Sequence, residues 1–272
     1  MNLFDKTPAL IGVVHLRPLP GSPRFDGDHA AILTAARVDA AALVQGGCDA
    51  VIVENFGDVP FHREHVPAET VAAMALALVA VREELGGRPL GVNVLRNDAR
   101  SALGLCAATG AQFLRVNVHT SAAISDQGIL QGRADETMRE RARIAPDVLV
   151  LADVHVKHAT PMGAESAAEA AADAIVRGMA DGVILTGSAT GRPPSQEMLS
   201  HVRRHVGNAR VLIGSGLSDA NAPRLLESTD GAIVGTWCKE DGRLERPVDP
   251  GRVRRLRQIF DGLGEERPEP VR

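Results

Sequence analysis

The feature that most constrains the fold of this chain is a unit that recurs along its whole length. Each unit begins with a short apolar run suited to a buried strand and continues with a longer, Ala-rich stretch suited to a helix, and eight units can be counted. The predicted strands are residues 9–15, 50–54, 89–94, 112–118, 147–154, 182–185, 210–213 and 231–234. The predicted helices are residues 30–45, 67–85, 99–109, 134–145, 164–178, 194–206, 218–227 and 252–262.

This alternation predicts an α/β protein with a closed barrel. Strands that are apolar on both faces and separated by helices are typical of a parallel sheet. Eight repeats favour a single (β/α)8 TIM barrel over an open doubly wound sheet, which usually has five or six strands. We expect the barrel to occupy residues 1–263, and a charged, Pro-containing tail at residues 264–272 to be poorly ordered.

Composition excludes several classes of function. The chain has a formal net charge of −4, six Phe, one Trp and no Tyr, so it lacks the basic or aromatic surface that binds nucleic acid. The three cysteines are distant from one another and indicate neither a disulfide framework nor a zinc site. The first residues contain too short an apolar segment for a membrane span and no cleavage pattern. We expect a cytoplasmic protein without a membrane or nucleic-acid partner.

Polar residues gather at the carboxyl ends of the first five predicted strands, where TIM barrels build their active sites. Asp153, His155 and Lys157 follow the fifth apolar run at every second position, so a continuing strand would place them on one face. Three ionisable groups on a buried face indicate a site, because unpaired buried charges are costly. The alternative is an Asp–His–Lys network that only stabilises the fold. Lys157 could be an imine-forming nucleophile, a partner of a phosphate or carboxylate, or a counter-ion to Asp153, and the acidic residues nearby favour the counter-ion.

Glu54 ends the second predicted strand and is a candidate general acid, with Asp153 as the candidate base or cation ligand. Asn93 and Asn117 belong to the third and fourth strands and are predicted to face the same cavity as the two carboxylates and His155. If a divalent cation is bound, Glu54, Asp153 and His155 are the candidate ligands. A catalytic carboxylate without a metal or other cofactor is the favoured interpretation. His15, His119 and His158 are explained as well by a structural role as by a role as proton shuttles.

The last strands end in small and hydroxyl-bearing residues, which indicate an anion site. Gly214, Ser215 and Gly216 follow the seventh strand, and Gly235 and Thr236 follow the eighth. Barrels commonly hold a phosphate between these two strand ends, through backbone N–H groups that glycines expose.

Three further segments are candidates for substrate contacts. Gly187 and Ser188, after the sixth strand, are expected to form a third wall of the phosphate site or a lid. Arg96 and Arg133 are candidates for gripping a substrate anion, with solvated ion pairs as the alternative. Arg133 belongs to a long connection between the fourth strand and the fourth helix, and such connections are usually functional.

These motifs together resemble the BtpA/SgcQ family over nearly the whole chain. The segments that carry the resemblance are residues 12–23, 53–58, 91–98, 115–119, 126–128, 152–158, 214–216 and 234–236. The resemblance implies a TIM barrel of the ribulose-phosphate-binding kind. The family takes its name from a factor linked to photosystem I biogenesis, and its relatives look like enzymes of sugar or nucleoside metabolism. One local departure from the family pattern is Trp237-Cys238, where a smaller pair is expected.

The sequence thus predicts an enzyme that acts on a phosphorylated sugar or nucleotide-like metabolite. Isomerisation, lyase chemistry or glycosidic cleavage would use carboxylate and His acid–base catalysis, with a phosphate cradle at the seventh and eighth strands. The alternatives are an assembly or stability factor and a metal-dependent hydrolase. A homo-oligomer is expected, since most soluble oligomers are symmetric assemblies of one chain.

Overall fold

A computed structural model describes residues 2–156, 158–163, 165–187 and 193–265 of the chain. The strands are β1 (Ala9–His15), β2 (Ala50–Glu54), β3 (Leu90–Asn93), β4 (Phe113–Val116), β5 (Ala122–Ser125), β6 (Gly128–Gln131), β7 (Leu149–Val154), β8 (Ala159–Pro161), β9 (Gly182–Leu185), β10 (Arg210–Ile213) and β11 (Gly231–Val234). The helices are α1 (His29–Gly46), α2 (Ala68–Glu84), α3 (Ala99–Thr109), α4 (Ala134–Ile144), α5 (Ala167–Val176), α6 (Gln196–Val206), α7 (Ala222–Leu225) and α8 (Pro250–Glu265). One 3-10 turn (Leu226–Ser228) follows α7, and two (Thr236–Cys238 and Glu240–Gly242) follow β11.

Eight of these strands close into a parallel barrel, as the sequence predicts. Their order around the barrel is β1-β2-β3-β4-β7-β9-β10-β11, and β11 pairs with β1 to complete the circle. The helices follow the strands along the chain, so every strand points the same way and every carboxyl end opens at one mouth. The predicted (β/α)8 barrel is therefore confirmed.

The side chains of the apolar strands pack into two hydrophobic cores. Side chains alternate along a strand, so half of them fill the barrel and half meet the helices. The cluster inside the barrel contains Ile11, Ile52, Phe113 and Leu151. Leu3, from the N-terminal segment, also belongs to this cluster. Their strand neighbours belong to a larger cluster between the strands and the helices. Because the inner cluster fills the lower barrel, the open space is left at the mouth.

Several strand and helix bounds depart from the sequence-based expectation. Strand β4 ends at Val116, before the predicted residue 118, and β7 begins at Leu149, after the predicted residue 147. The predicted seventh helix is only one turn long in α7, because the Asn221 side chain accepts a hydrogen bond from the Ser218 N–H and holds residues 218–221 as a turn.

The predicted disorder of residues 264–272 stays a prediction, and residues 266–272 lie outside the described residues. Gly264 and Glu265 belong to α8, which starts two residues before the predicted helix and ends three residues after it. Within the described ranges, no helix combines the length and apolar character needed to cross a bilayer. The cytoplasmic location and the homo-oligomer stay predictions.

A small antiparallel sheet that the sequence analysis did not predict covers part of the mouth. Strands β5 and β6 form a hairpin in the long connection after β4, and β8 from the connection after β7 pairs with β5. Val118, Ala123, Leu130 and Val156 form a separate apolar cluster beneath this sheet. The long connection is thus an ordered flap that is seated on the ends of β4 and β7.

Replacing Gly91 by alanine tests the packing inside the barrel. A Cβ at Gly91 would lie 2.2 Å from a ring atom of Phe113, its neighbour on β4, so Gly91→Ala is expected to lower the free energy of unfolding by about 1–3 kcal/mol. Gly104→Ala is the matched control, since a Cβ at Gly104 in α3 meets nothing within 4 Å. That change should stabilise the protein by up to about 1 kcal/mol. Urea unfolding measures both, and equal effects would contradict the packing argument.

Candidate active site at the mouth of the barrel

The uppermost inward-facing residues of the barrel strands surround a cavity of about 930 Å³. The alternation that places Val13 and Ile52 inside the barrel also places His15 and Glu54 one step higher, where both line this cavity. Asn93 ends β3 beside them. The volume is typical of a site for a small molecule.

Glu54 supplies a carboxylate to one side of the cavity. Its register partners are His15 on β1 and Asn93 on β3, and the three side chains line the cavity together. The side-chain N–H of Asn93 donates to Glu54 Oε2 at 2.6 Å. Glu54 is 8% exposed, so its carboxylate is fixed in place and has little contact with bulk solvent. A fixed, sheltered carboxylate at a cavity wall can accept or deliver a proton.

Asp153 lies behind this wall in a buried ion pair with Arg115. Arg115 Nε and Nη2 donate to the two carboxylate oxygens at 2.9 and 3.0 Å, and Asn117 Nδ2 donates to Oδ2 at 2.5 Å. The Asp153 side chain is fully buried. Arg115 and Asn117 line the cavity, whereas Asp153 does not. Asp153 therefore orients two cavity residues and does not itself face the cavity.

Two buried arginines lie at the cavity, close to the negative charges of neighbouring carboxylates. Burial pulls the pKa of Arg115 down, but the negative charges of Asp153 and Glu54 outweigh it and raise the pKa above its ordinary value. Burial lowers the pKa of Arg96, against the opposing charges of Asp153, Asp126 and Glu54. Both side chains line the cavity. A guanidinium in a sheltered site can bind an anionic group or stabilise negative charge that develops during a reaction.

The opposite side of the cavity is built from small residues. A Cβ at Gly214 would lie 2.5 Å from Ile184, and a Cβ at Gly235 would lie 2.5 Å from the His15 ring. Only glycine fits at these two points, so the backbone itself forms the cavity wall between β10 and β11. Ser215, Gly216 and Thr236 continue that wall.

Side-chain contacts hold this small-residue wall in position. The Asn221 side chain donates to the Gly216 carbonyl at 2.9 Å and accepts from the Ser218 N–H at 2.8 Å. After β11, Lys239 forms a buried ion pair with Asp39 of α1. The loops that carry Gly216 and Thr236 are thus fastened to the rest of the barrel.

Two buried polar atoms of cavity residues make no hydrogen bond within the described part of the chain. They are Asn117 Oδ1 and Ser215 Oγ, on the two sides of the cavity. Buried polar atoms in native proteins nearly always have partners. Asn117 Oδ1 and Ser215 Oγ can therefore each hydrogen-bond to a polar group in the cavity.

Nine of the predicted site residues line this cavity. They are Glu54, Asn93, Arg96, Asn117, Gly214, Ser215, Gly216, Gly235 and Thr236. Strand ends from both halves of the sequence therefore meet at one site.

Four predicted site residues lie elsewhere, and two more, Lys157 and Ser188, lie outside the described residues. Asp153 is enclosed behind the wall. His155 does not line the cavity, because β7 ends at Val154 and His155 has a φ of +50°, so the alternation that would align it with Asp153 stops. Burial lowers the pKa of His155.

Arg133 and Gly187 are also separated from the main cavity. Arg133 precedes α4, and its guanidinium lies 3.3 Å from a carboxylate oxygen of Glu64 on a different part of the surface. This matches the ion-pair alternative for Arg133. Gly187 is buried after β9 and does not line the cavity.

The arrangement does not offer a metal site among the described residues. No group of three or more His, Cys, Asp and Glu side chains there is placed to hold a metal ion. Glu54, Asp153 and His155 do not form such a group, because Asp153 is engaged by Arg115 and His155 lies off the cavity.

Sequence reasoning assigned no role to several residues that the structure brings to the cavity. Arg115 is an inward-facing residue of β4, and strand alternation would have placed it beside Asn117. Asp126 reaches the cavity from the turn of the β5–β6 hairpin, and only the tertiary seating of that hairpin reveals it. His15 and His158 also line the cavity, whereas His119 is buried elsewhere and contacts the Gly178 carbonyl at 2.8 Å.

Solved structures with the same architecture include enzymes of phosphorylated substrates. Thiamine phosphate pyrophosphorylase from Pyrococcus furiosus superposes with a TM-score of 0.59, at 15% identity, over 94% of this chain and 98% of that chain. Phosphoribosyl anthranilate isomerase from Thermus thermophilus gives a TM-score of 0.58, at 12% identity, over 93% and 99% of the two chains. At such identities the likeness shows a shared TIM-barrel fold.

Relatives in sequence are much closer. An uncharacterised protein of Thermococcus kodakarensis is 45% identical over 260 residues, which cover 96% of this chain and 97% of that protein. The photosystem I biogenesis protein BtpA of Synechocystis is 45% identical over 250 residues, which cover 92% of this chain and 87% of that protein. The BtpA family model matches residues 6–261. By both measures, this chain belongs to the BtpA family.

Proposed function

We propose that this protein is an enzyme that acts on a phosphorylated small molecule, a sugar phosphate or a nucleotide-like metabolite, in the mouth of its barrel. The observation that carries the proposal is the division of one cavity into two unlike halves. Ionisable and amide side chains from β2, β3 and β4 face glycines and hydroxyls from the loops after β10 and β11. One half suits proton transfer and the other suits an anion.

The phosphate end of the substrate is assigned to the small-residue half. Gly214 and Gly235 bring the backbone to the cavity surface, where N–H groups can approach phosphate oxygens closely. Ser215 Oγ has no partner within the described residues and is available to donate to the same group. The fold relatives that act on phosphorylated compounds make this assignment reasonable by analogy.

The reacting end is assigned to Glu54, Asn93, Arg115 and Asn117. Glu54 is the proton-transfer residue, and its bond from Asn93 fixes which oxygen faces the substrate. Arg115 and Arg96 stabilise negative charge as it develops, which suits an enolate in isomerisation or a departing anion in cleavage. Isomerase, lyase and glycosidic-cleavage chemistry all share this requirement.

In this proposal Asp153 positions Arg115 and Asn117. This role replaces the sequence-based prediction that Asp153 is the general base. Its carboxylate accepts three hydrogen bonds from Arg115 and Asn117 and is closed off from the cavity. A carboxylate held in this way fixes the guanidinium and turns the Asn117 carbonyl oxygen toward the substrate.

A second candidate function is favoured by one relative. The Synechocystis protein is named for photosystem I biogenesis, so an assembly role is the alternative for this chain. Such a role does not require the polar cavity to be intact. Crystals soaked with pentose phosphates and nucleotides, followed by turnover assays on whichever compounds bind, separate the two functions.

Replacing Gly216 tests the phosphate end. Saturating inorganic phosphate should raise the melting temperature of the wild-type protein by roughly 3 °C or more, since ligand at about ten times its Kd stabilises by about 1.4 kcal/mol. Gly216→Asp should lose this shift, because its carboxylate repels the anion. Gly216 has a φ of +76°, so Gly216→Asn is the matched control with the same backbone strain and no charge. An unchanged shift in the Asp variant would place the phosphate elsewhere.

Glu54→Gln tests the reacting end. The amide keeps the size of the side chain but cannot transfer a proton, so turnover of the substrate found by soaking should fall about 10²- to 10⁴-fold. The phosphate-induced shift in melting temperature should survive. Product formation followed by NMR measures the rate, and near wild-type turnover would remove Glu54 from the mechanism.

Asp153→Asn tests the positioning role through stability. The change leaves Arg115 buried without a counter-ion, and breaking a buried ion pair costs about 3–5 kcal/mol. Urea unfolding should show a loss of this size. Asp135→Asn is the control, because the Asp135–Arg139 pair on α4 is exposed and should contribute little. If Asp153→Asn is as stable as the control but inactive, Asp153 acts directly on the substrate.

A further inference from the structure

An apolar wall of the main cavity has no part in the proposed proton transfer or phosphate binding. Phe56, Val59 and Phe61 come from the segment between β2 and α2, residues 55–67, which we call the β2 loop. Leu95, after β3, adjoins them. Because neither the proton-transfer side chains nor the glycines and hydroxyls belong to this wall, it would face a part of the ligand that the proposed function leaves undescribed.

The two phenylalanine rings do not serve the hydrophobic cores. The chain contains six Phe, of which Phe113 and Phe260 are fully buried. Phe56 and Phe61 are half-buried, and among the described residues neither joins an apolar cluster of the barrel. Aromatic side chains bury a large apolar area, so leaving two of them facing a cavity forfeits that stabilisation unless a ligand covers them.

The Phe56 ring meets each of its two neighbouring rings edge-on, at a steep angle. The Phe56 ring meets the His15 ring edge-on, with centroids 5.1 Å apart and planes at 75°. The Phe61 ring lies 6.3 Å from Phe56, at 64°. A flat ring that stacks on one of them meets the edge of the other, which is the arrangement that aromatic groups favour.

Buried polar contacts hold the β2 loop in this shape. Asn55 Oδ1 accepts from the Leu95 N–H at 2.7 Å, and Asn55 Nδ2 donates to Asp58 at 3.1 Å. Asp58 in turn accepts from the Leu19 N–H at 2.8 Å. The wall is therefore organised before a ligand arrives, which lowers the entropy cost of binding.

A second set of contacts fixes the far end of the loop, beyond Phe61. The Arg96 N–H donates to the His62 carbonyl at 3.1 Å, and the Val66 N–H donates to Asp98 at 2.9 Å. Both ends of the segment that carries the two rings are thus attached to the end of β3 and the start of α3.

We infer that the substrate carries a flat aromatic ring of the nucleobase type, which lies against Phe56 and Phe61 while the phosphate occupies the small-residue half. The cavity of about 930 Å³ is larger than a pentose phosphate needs, and its two arginines and unpaired Asn117 oxygen suit the ribose and base edges between the two ends. This inference rests on the proposed function and narrows its substrate class to nucleoside monophosphates.

Calorimetric titration of the full chain tests the inference with three kinds of probe. These are inorganic phosphate, ribose 5-phosphate, and a purine and a pyrimidine nucleoside monophosphate. At least one nucleotide should bind tenfold or more tightly than ribose 5-phosphate. In Phe61→Ala, nucleotide binding should weaken about fivefold to 150-fold, since base–aromatic stacking contributes about 1–3 kcal/mol. Ribose 5-phosphate should bind to this variant as it does to the wild type.

Phe61→Trp is the matched variant, because it keeps a flat ring at the same position and should restore nucleotide binding to within a few-fold of the wild type. If ribose 5-phosphate binds and neither nucleotide binds more tightly, the inference fails while the proposed function stands. Unchanged nucleotide affinity in Phe61→Ala also overturns it. If none of the probes binds, the proposed function itself fails.

Discussion

The ion pair between Arg115 and Asp153 is the interaction on which the site depends. A guanidinium that is 7% exposed inside a barrel needs a counter-ion, and Asp153 on the neighbouring strand provides one with two parallel hydrogen bonds. The same carboxylate binds the Asn117 amide, so a single buried anion sets the positions of two cavity side chains. Gly214 borders this pair, and a Cβ there would come within 3.4 Å of Arg115 Nη2. The cavity therefore depends on two features, the ion pair that holds Arg115 in place and the absence of a side chain at Gly214.

The barrel assigns different physical work to its two halves. Early strands end in ionisable and amide side chains, and late strands end in glycines and hydroxyl-bearing residues that leave the backbone at the cavity surface. In the proposed function, this separation would keep an anionic phosphate away from Glu54, whose carboxylate would repel it. The β2 loop adds a third surface, formed by the apolar side chains of Phe56, Val59 and Phe61, which buried amide and carboxylate side chains hold in place. A ligand that contacts all three surfaces is held in one orientation.

The β5–β6 hairpin shows how an insertion can join a site without altering the barrel. Its base packs on Val118 and Val156, at the ends of β4 and β7, and its turn delivers Asp126 to the cavity. The negative charge of Asp126 raises the pKa of Arg96 and so opposes the lowering effect of burial. The flap thus contributes an electrostatic contact as well as cover.

Local sequence determined the eight-fold alternation, most strand positions and the strand ends where polar or small residues gather, because these depend on the periodicity of apolar residues within each segment. Glu54, Asn93 and Gly214 could be predicted in this way. Tertiary structure decided what no single segment contains. The sequence of its own strand predicts that Asp153 is a catalytic group. In the structure, Arg115 on the neighbouring strand forms an ion pair with Asp153 and encloses it. The alternation that would align His155 with Asp153 stops where the strand stops. The positions of Asp126 and of the aromatic wall depend on how the long loops pack over the mouth of the barrel. Hydrophobic periodicity does not predict this packing, because loops have no such periodicity.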